Sequence, residues 1–318
     1  MSTLRRRLIA GTAVSVVVVA ATGCRGGDQA IRLYTSVTGD TVTAVVERFE
    51  AESGLDVDVF RAPTGELAAR IAAEQREGGI RADVLWLTDP LSMQQYAADG
   101  VLQAWQPEGA PDIAPQYRAD SFWGTRLLSM IIVQGRGVAP IESWADLADP
   151  PYRDRIVAPD PGFAGSAFAV FGYFASEPSL GFEFYRRLRA NGLTIVNSPG
   201  EVVTAVAEGR FDAGITLLFS AREAREEGSP IAIVWPEPGA ITLYSPIGLA
   251  AGAGTDARRF VEYVLSEEGQ QRIADSGWQP ILPAIPWEVG GPQVAVDWSE
   301  LFDRRAAILD IFRAVFGE

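Results

Sequence analysis

From residue 31 onward, the hydrophobic and polar positions change repeatedly between two periods, and this pattern predicts strands that alternate with helices. The segments "IRLYTS" (31–36) and "LDVDVF" (55–60) have the composition and spacing of strands. Between them, apolar residues recur at helical spacing, at Val42, Val45 and Phe49. A second helix and a third strand follow. This β-α-β-α-β order predicts a mostly parallel sheet with helices on both faces.

Near residue 105 the pattern changes, which predicts that the chain leaves a first lobe and builds a second one. A proline-rich loop at 105–115 precedes an apolar strand at 125–134 that is suited to cross between lobes. Short strands are predicted at 155–160, 193–198 and 213–218, with helices at 165–175, 179–192 and 200–210, and a further pair of strands at 231–236 and 241–252 follows. The remainder is mostly helical, at 256–277 and 298–318. The predicted fold class is therefore α/β, with two lobes and a ligand cleft between them.

Four predicted strand-to-helix turns carry small polar residues or glycine, and they form the candidate site. Since the carboxyl ends of parallel strands meet at one edge of a sheet, these turns should converge. The alternative is that turns need Gly, Pro, Ser and Asp in any case. Four such turns at the same end of the strands favour a site. The predicted ligand-binding residues in them are Thr35, Ser36, Thr64, Gly65, Thr88, Asp89, Gly165, Ser166 and Ala167.

The composition excludes most classes of catalyst and two classes of partner. The 318 residues include no histidine, no lysine and one cysteine, so a Ser-His-Asp triad, Ser-Lys chemistry and zinc-ligand spacing are all absent. We therefore expect a binding protein rather than an enzyme, with neither a cofactor nor a resident metal. The net charge of −14 disfavours nucleic acid and anionic lipid as partners.

The first 27 residues have the features of an export signal. Three arginines at 5–7 precede an apolar stretch at 8–22, which is shorter than the roughly 20 residues that a membrane span needs. The segment ends in Ala-Thr-Gly before Cys24, which resembles the lipidation box of bacterial lipoproteins. That resemblance implies a lipid anchor on Cys24 at the extracytoplasmic face of the cell membrane. The alternative is an ordinary signal peptide with a chance cysteine.

The body of the chain resembles the type 2 periplasmic solute-binding proteins of ABC importers, in their ferric-iron and phosphonate branch. The order and spacing of several stretches carry the resemblance: "YTS", "FEAESGLDV", "GELAARIAAE", "ADVLWLTDP", "YAADGVL", "SWADLADPPYRDRI", "NSPGEVVTAVAEG" and "FVEYVLSEEGQQRIA". It implies a monomer whose two lobes close on a small molecule for delivery to permease subunits. The expected lobes are 28–130 with 245–318, and 131–244.

The chain departs from the iron-binding members of this branch at the expected metal ligands. Those members carry adjacent tyrosines where this sequence has Leu217, Leu218, Phe219 and Ser220, and many use a histidine that this chain lacks. Ferric iron prefers anionic oxygen ligands, which leucine and phenylalanine do not supply. Metal-binding oxygens remain available from acidic residues in two of the turns. A binder of ferric iron, another metal, thiamine or a polyamine therefore stays an alternative.

The resemblance also implies an anion site on the turn Gly165-Ser166-Ala167, completed by Asn197 and Thr216. A helix that begins on such a turn presents free backbone N–H groups and the positive end of its dipole. Net charge does not forbid this, because salt screens distant charges beyond about 8 Å. We therefore expect an anionic ligand that carries a phosphate or phosphonate group.

Several of these side chains have a second interpretation that concerns structure alone. Ser166 is suited to be a simple helix cap, and Asn197 a simple turn residue. Arg126 is predicted to clamp the anion through two nitrogens, but a salt bridge between the lobes is equally consistent with its position. Trp86 and Trp278 are candidates for stacking on an organic ligand or for the core.

Overall fold

The first α/β unit contains the three predicted strands and one helix that the sequence pattern did not indicate. The computed structural model describes residues 30–108 and 112–317, so the predicted signal peptide and Cys24 lie outside the described residues. Both β2 and β3 pair with β1 in parallel, which confirms the predicted β-α-β-α-β order. The elements are β1 (Ile31–Thr35), α1 (Gly39–Ser53), β2 (Val57–Arg61), α2 (Thr64–Arg76), β3 (Val84–Trp86) and α3 (Pro90–Ala98).

The rest of the chain follows the predicted alternation closely. The segment 256–277, predicted to be helical, contains two helices that meet at Ser266, whose side chain accepts a hydrogen bond from the backbone of Gly269. The elements are β4 (Phe122–Gly135), β5 (Ile156–Pro159), α4 (Gly165–Ser176), α5 (Gly181–Ala190), β6 (Thr194–Val196), α6 (Pro199–Ala207), β7 (Ala213–Leu217), α7 (Leu218–Glu226), β8 (Ile231–Val234), β9 (Ala240–Leu249), α8 (Thr255–Leu265), α9 (Glu267–Asp275), β10 (Gln279–Pro280), β11 (Gln293–Ala295) and α10 (Trp298–Phe316).

Strands β4 and β9 connect the two halves of the sheet, whose order is β2-β1-β3-β9-β4-β7-β5-β6. The first part of β4 pairs with β9 and β10, and the second part pairs with β7 and β8. All of these pairings are antiparallel, as is that of β3 with β9. The sheet is therefore mixed rather than mostly parallel, because β4 and β9 run antiparallel to each other and to most of their neighbours, although β11 pairs with β9 in parallel.

We call the unit β1–β3 with α1–α3, α8 and α9 the first lobe, and the unit β5–β8 with α4–α7 the second lobe. In the second lobe β5 pairs in parallel with β6 and β7. Helix α10 packs against α3, α4 and α5, and Phe312 lies 4.8 Å from Phe171 between ring centroids. The last helix therefore contacts both lobes. The lobe boundaries at residues 130 and 244 stay predictions. No helix within the described residues combines the length and apolarity needed to span a membrane.

Candidate functional site

The predicted turns meet at a cavity of about 430 Å³ that lies between the two lobes. Four helix N-termini border the cavity, those of α1, α2, α4 and α6. Each of these helices follows the carboxyl end of a strand, namely β1, β2, β5 and β6. The lining residues that the sequence had singled out for ligand binding are Ser36, Thr64, Thr88, Arg126, Gly165, Ser166 and Asn197.

Two of the predicted hydroxyls are engaged beneath the cavity instead of lining it. Thr35 is fully buried, and its Oγ1 donates to the carbonyl oxygen of Trp86 over 2.7 Å. Thr216 is also fully buried, and its Oγ1 donates to the carbonyl oxygen of Pro199 over 2.7 Å. Thr216 thus attaches the first turn of α6 to β7. Both threonines hold the turns in place from below.

Three further predicted residues lie beside the cavity without lining it. Gly65 is exposed on the first turn of α2, and Ala167 is buried in α4 with its N–H donating to the carbonyl oxygen of Ala164 over 3.0 Å. Asp89 caps α3, where its Oδ1 accepts from the backbone N–H of Ser92 over 2.8 Å. The second oxygen of Asp89 is buried and has no hydrogen-bond partner among the described residues.

Arg126 provides a buried cation at the cavity wall. Its side chain is fully buried on β4, and Nη1 donates over 3.4 Å to the hydroxyls of Thr38 and Thr41. Nε and Nη2 have no hydrogen-bond partner among the described residues. These two nitrogens form one edge of the planar guanidinium, which matches two oxygens of a carboxylate, phosphate or phosphonate. Arg126 therefore has a pair of adjacent N–H donors that could bind an anion through two hydrogen bonds.

Within residues 30–108 and 112–317, no carboxylate forms a salt bridge with Arg126. Desolvation by burial lowers the pKa of the Arg126 guanidinium to about 9, and it is the sole cause of the shift. The group remains a cation at neutral pH. The salt bridge between the lobes, which the sequence left open for Arg126, does not form among the described residues. Of the described residues that line the cavity, two are arginines and none is Asp or Glu.

The two tryptophans that were candidates for stacking have different positions. Trp86 is fully buried on β3, and its Nε1 donates to Thr125 over 2.9 Å, so it belongs to the core. Trp278 lines the cavity, and the guanidinium carbon of Arg126 lies 4.1 Å from its ring centroid. On Trp278 stacks Phe219, with ring centroids 4.3 Å apart and planes 11° from parallel.

The second lobe offers backbone groups instead of a charge. Helix α4 begins at Gly165 after Ala164, where the first N–H groups of a helix have no partner within the helix, and no side chain caps this start. Ser166 is the second residue of the helix and therefore is not its N-cap. Asn197 lines the cavity from the turn before α6. The positive end of α4 and these polar side chains suit an anion.

Three hydroxyl groups lie on the first-lobe wall of the cavity. The Oγ of Ser36 lies 3.1 Å from Oγ1 of Thr88, which in turn lies 3.4 Å from Oγ1 of Thr64. Thr38 and Arg61 also line the cavity, and sequence reasoning missed both of them. Arg61 is the last residue of β2, and Thr38 directly precedes α1. Both therefore lie in the strand-to-helix turns that the sequence pattern had marked as candidates for the site.

The segment 217–220, which departs from iron-binding proteins, contributes apolar surface to this region. Leu217 lines the cavity, and Phe219 stacks as described above. Within residues 30–108 and 112–317, no three His, Cys, Asp or Glu side chains come together as a metal site. Leu217 and Phe219 offer no oxygen to ferric iron.

Comparison with known proteins agrees with this architecture. The family described as bacterial extracellular solute-binding protein matches residues 31–279. The chain belongs to this family. Its membership confirms the expected class, a solute-binding protein that acts outside the cytoplasm with the permease of an ABC importer. It also confirms that the chain is a binding protein and not an enzyme.

The individual relatives are distant in sequence and close in fold. Iron uptake protein A1 of Synechocystis sp. is 25% identical over 290 residues, which cover 82% of this chain and 78% of that protein. Apo ferric ion-binding protein A of Pasteurella haemolytica superposes with a TM-score of 0.80 at 18% identity, over 91% and 98% of the two chains. The periplasmic binding protein AfuA of Actinobacillus pleuropneumoniae, with fructose-6-phosphate bound, gives 0.77 at 19% identity, over 90% and 98%. These likenesses establish the two-lobed type 2 fold.

Proposed function

We propose that the protein captures a small organic anion, with a phosphate or phosphonate group, in the cavity between its lobes and delivers it to an ABC importer. The observation that carries the proposal is the free edge of Arg126. A buried donor without a partner costs about 1–3 kcal/mol, and more when it is charged. An anion that accepts from Nε and Nη2 removes that cost and neutralises the guanidinium.

The opposite wall supports the same ligand class. The uncapped start of α4 at Gly165 and Ser166 adds backbone donors and a favourable dipole on the second lobe. One anionic group held by both walls would favour closure of the lobes, because each wall alone satisfies only part of it. The buried Nε1 of Trp278 is a further donor without a partner among the described residues.

The size and lining of the cavity favour a body attached to the anionic group. About 430 Å³ exceeds the volume of a bare phosphate, and the lining includes Leu128, Phe163 and Leu217. The structural neighbour AfuA binds fructose-6-phosphate, a phosphate ester of this general size. The predicted residues that line the cavity are proposed as ligand contacts, whereas Thr35 and Thr216 act through the turns that they hold.

We further propose that Cys24 carries a lipid anchor that keeps the protein, as a monomer, at the extracytoplasmic face of the membrane. The support is the sequence at residues 1–27 alone. Mass spectrometry of the membrane fraction of the native host tests this proposal. A mature chain that begins at Cys24 with attached acyl chains is expected, and an unmodified cysteine in the mature protein would contradict it.

A thermal-shift panel tests the ligand class. Phosphate, methylphosphonate, sugar phosphates, thiamine, spermidine and Fe³⁺ are compared at equal concentrations. A ligand at about one hundred times its dissociation constant adds ~2.7 kcal/mol to the free energy of unfolding. We expect stabilisation by phosphate-bearing compounds. Stabilisation by Fe³⁺, thiamine or spermidine alone would overturn the proposal.

One observation favours a cationic ligand as the second candidate. The free Oδ2 of Asp89 is buried close to Gly165, where a carboxylate attracts a metal or an ammonium group. Asp89 itself lies beside the cavity, and among the described residues no Asp or Glu lines it. Fe³⁺, thiamine and spermidine in the same panel decide between the two candidates.

A further inference from the structure

Arg126 and Phe219, from different parts of the chain, both contact the ring of Trp278 beside the cavity. The guanidinium of Arg126 lies on one face of Trp278, and Phe219 lies on the indole in nearly parallel orientation. Arg126 lies on the part of β4 that pairs with β9 and β10, and Trp278 immediately precedes β10. Phe219 lies in α7 of the second lobe. The stack therefore crosses the cleft.

We propose that Phe219 is a positioning residue for the anion site, acting through Trp278 on Arg126. The proposal rests on the proposed function, because it concerns how the anion-binding guanidinium is oriented. Nη1 makes only two long hydrogen bonds, to threonine hydroxyls, so hydrogen bonds alone hold the guanidinium plane weakly. The indole of Trp278, whose ring centroid lies 4.1 Å from the guanidinium carbon, supplies further support.

Phe219 makes the support depend on the approach of the two lobes. Its ring contacts Trp278 from the second lobe, and the backbone at Gly277 also lies close to it, since a Cβ at that position would stand 3.0 Å from Cε2 of Phe219. Separation of the lobes removes the ring from the indole. The arginine edge then has this support only in the arrangement of the lobes that this structure shows, which couples tight anion binding to that arrangement.

The contact with Trp278 also gives a role to Phe219, a residue of segment 217–220 to which the proposed function assigns none. Phe219 has no group that can bind a metal or an anion, yet it lies at the cleft. Stacking gives it a role that needs neither. A tyrosine or tryptophan ring at 219 would keep this role, whereas alanine would remove it.

Nuclear magnetic resonance of the ligand-free protein tests the inference without any anion. The Nε–H signal of Arg126, assigned by its loss in Arg126→Lys, should be shifted upfield by the ring current of Trp278. We expect Phe219→Ala to move this signal toward the position of ordinary arginines and Phe219→Tyr to restore it. Phe182→Ala is the matched control, because Phe182 is also half-buried in the second lobe but contacts Tyr185. An unchanged signal in Phe219→Ala would overturn the inference.

Calorimetric titration with inorganic phosphate provides the functional arm. Loss of one stacked aromatic contact should weaken phosphate binding about two- to tenfold in Phe219→Ala, with Phe219→Tyr and Phe182→Ala close to the wild type. Equal weakening in Phe182→Ala would indicate a general loss of structure and contradict the positioning role. A wild-type protein that binds no phosphate would count against the proposed anion, while the resonance measurement still decides the role of Phe219.

Discussion

Two buried charges, Glu74 on α2 of the first lobe and Arg126 on the connecting strand β4, differ in how they are compensated. The carboxylate of Glu74 accepts hydrogen bonds from the hydroxyl of Tyr34, from Nε of Arg70 and from the backbone N–H of Arg81, at 2.7 to 2.9 Å. The guanidinium of Arg126 has only two contacts of 3.4 Å, both on one nitrogen. The carboxylate of Glu74 is fully hydrogen-bonded within the protein. The guanidinium of Arg126 has two nitrogens, Nε and Nη2, without a hydrogen-bond partner among the described residues.

The difference separates a structural charge from a functional one. Burial opposes ionisation of Glu74, but its hydrogen bonds outweigh burial and lower its pKa below the ordinary value of 4.5. For Arg126 burial acts alone, and it lowers the pKa to about 9. A buried charge without a hydrogen-bonded counter-charge destabilises the fold, and under the proposed function the anionic ligand supplies that partner.

The sharpest test of this comparison is Arg126→Met. Loss of two charge-assisted hydrogen bonds should weaken anion binding at least about 200-fold. The free energy of unfolding without ligand should stay equal or rise by up to about 2 kcal/mol, because an uncompensated buried charge disappears. Calorimetric titration and urea unfolding measure the two effects. Arg61→Met, at an exposed arginine that also lines the cavity, is the control. Lower stability in Arg126→Met would contradict the interpretation.

A negative charge on the opposite wall should have nearly the same effect on binding. Ser166→Asp places a carboxylate at the start of α4, where repulsion of an anion costs several kcal/mol, and binding should weaken about 100-fold. Ser166→Ala removes one hydroxyl and should weaken binding about tenfold or less. Both variants should keep the wild-type circular dichroism spectrum. Unchanged affinity of the aspartate variant would remove this turn from the site.

A smaller effect is expected from Gly165→Ala, which tests the contact between the walls. A Cβ at residue 165 would lie 2.7 Å from Cβ of Asp89 in the first lobe, so the groups of the two lobes that meet there must move apart. We expect about tenfold weaker binding. Small-angle X-ray scattering should show a larger radius of gyration with ligand than in the wild type. Gly65→Ala, where an added Cβ meets nothing within 4 Å, should behave as the wild type.

The smallest expected effect on binding belongs to Glu74→Gln, which tests the structural charge. Its free energy of unfolding at pH 7 should fall by about 1–2 kcal/mol, while anion affinity stays unchanged. Because the pKa of Glu74 is lowered in the fold, its stabilisation is present above pH 4.5 and is lost as the pH falls through the folded value. Urea unfolding at pH 7 and pH 3 should therefore show a smaller acid loss in the variant than in the wild type. An equal acid loss would contradict this account.

The sequence pattern located most elements, because each has a strong local signal. Helix α3 was missed since its apolar positions follow no clear helical stripe, and Pro90 at its start resembles a loop residue. The mixed direction of the sheet was also missed, because apolar runs in β4 and β9 do not encode strand orientation. Strand pairing between distant segments decides that orientation.

By itself, the sequence determined the class of this protein and the turns that border its cleft. Periodicity located the strands, and glycine, serine and asparagine marked their ends, since these are local properties of the chain. Only the tertiary structure decided that Arg126 has no acidic partner in the described part of the chain, that Thr216 supports a turn, and that Phe219 contacts Trp278. The physical reason is that compensation of a buried charge depends on which distant side chains burial brings within hydrogen-bond or stacking distance.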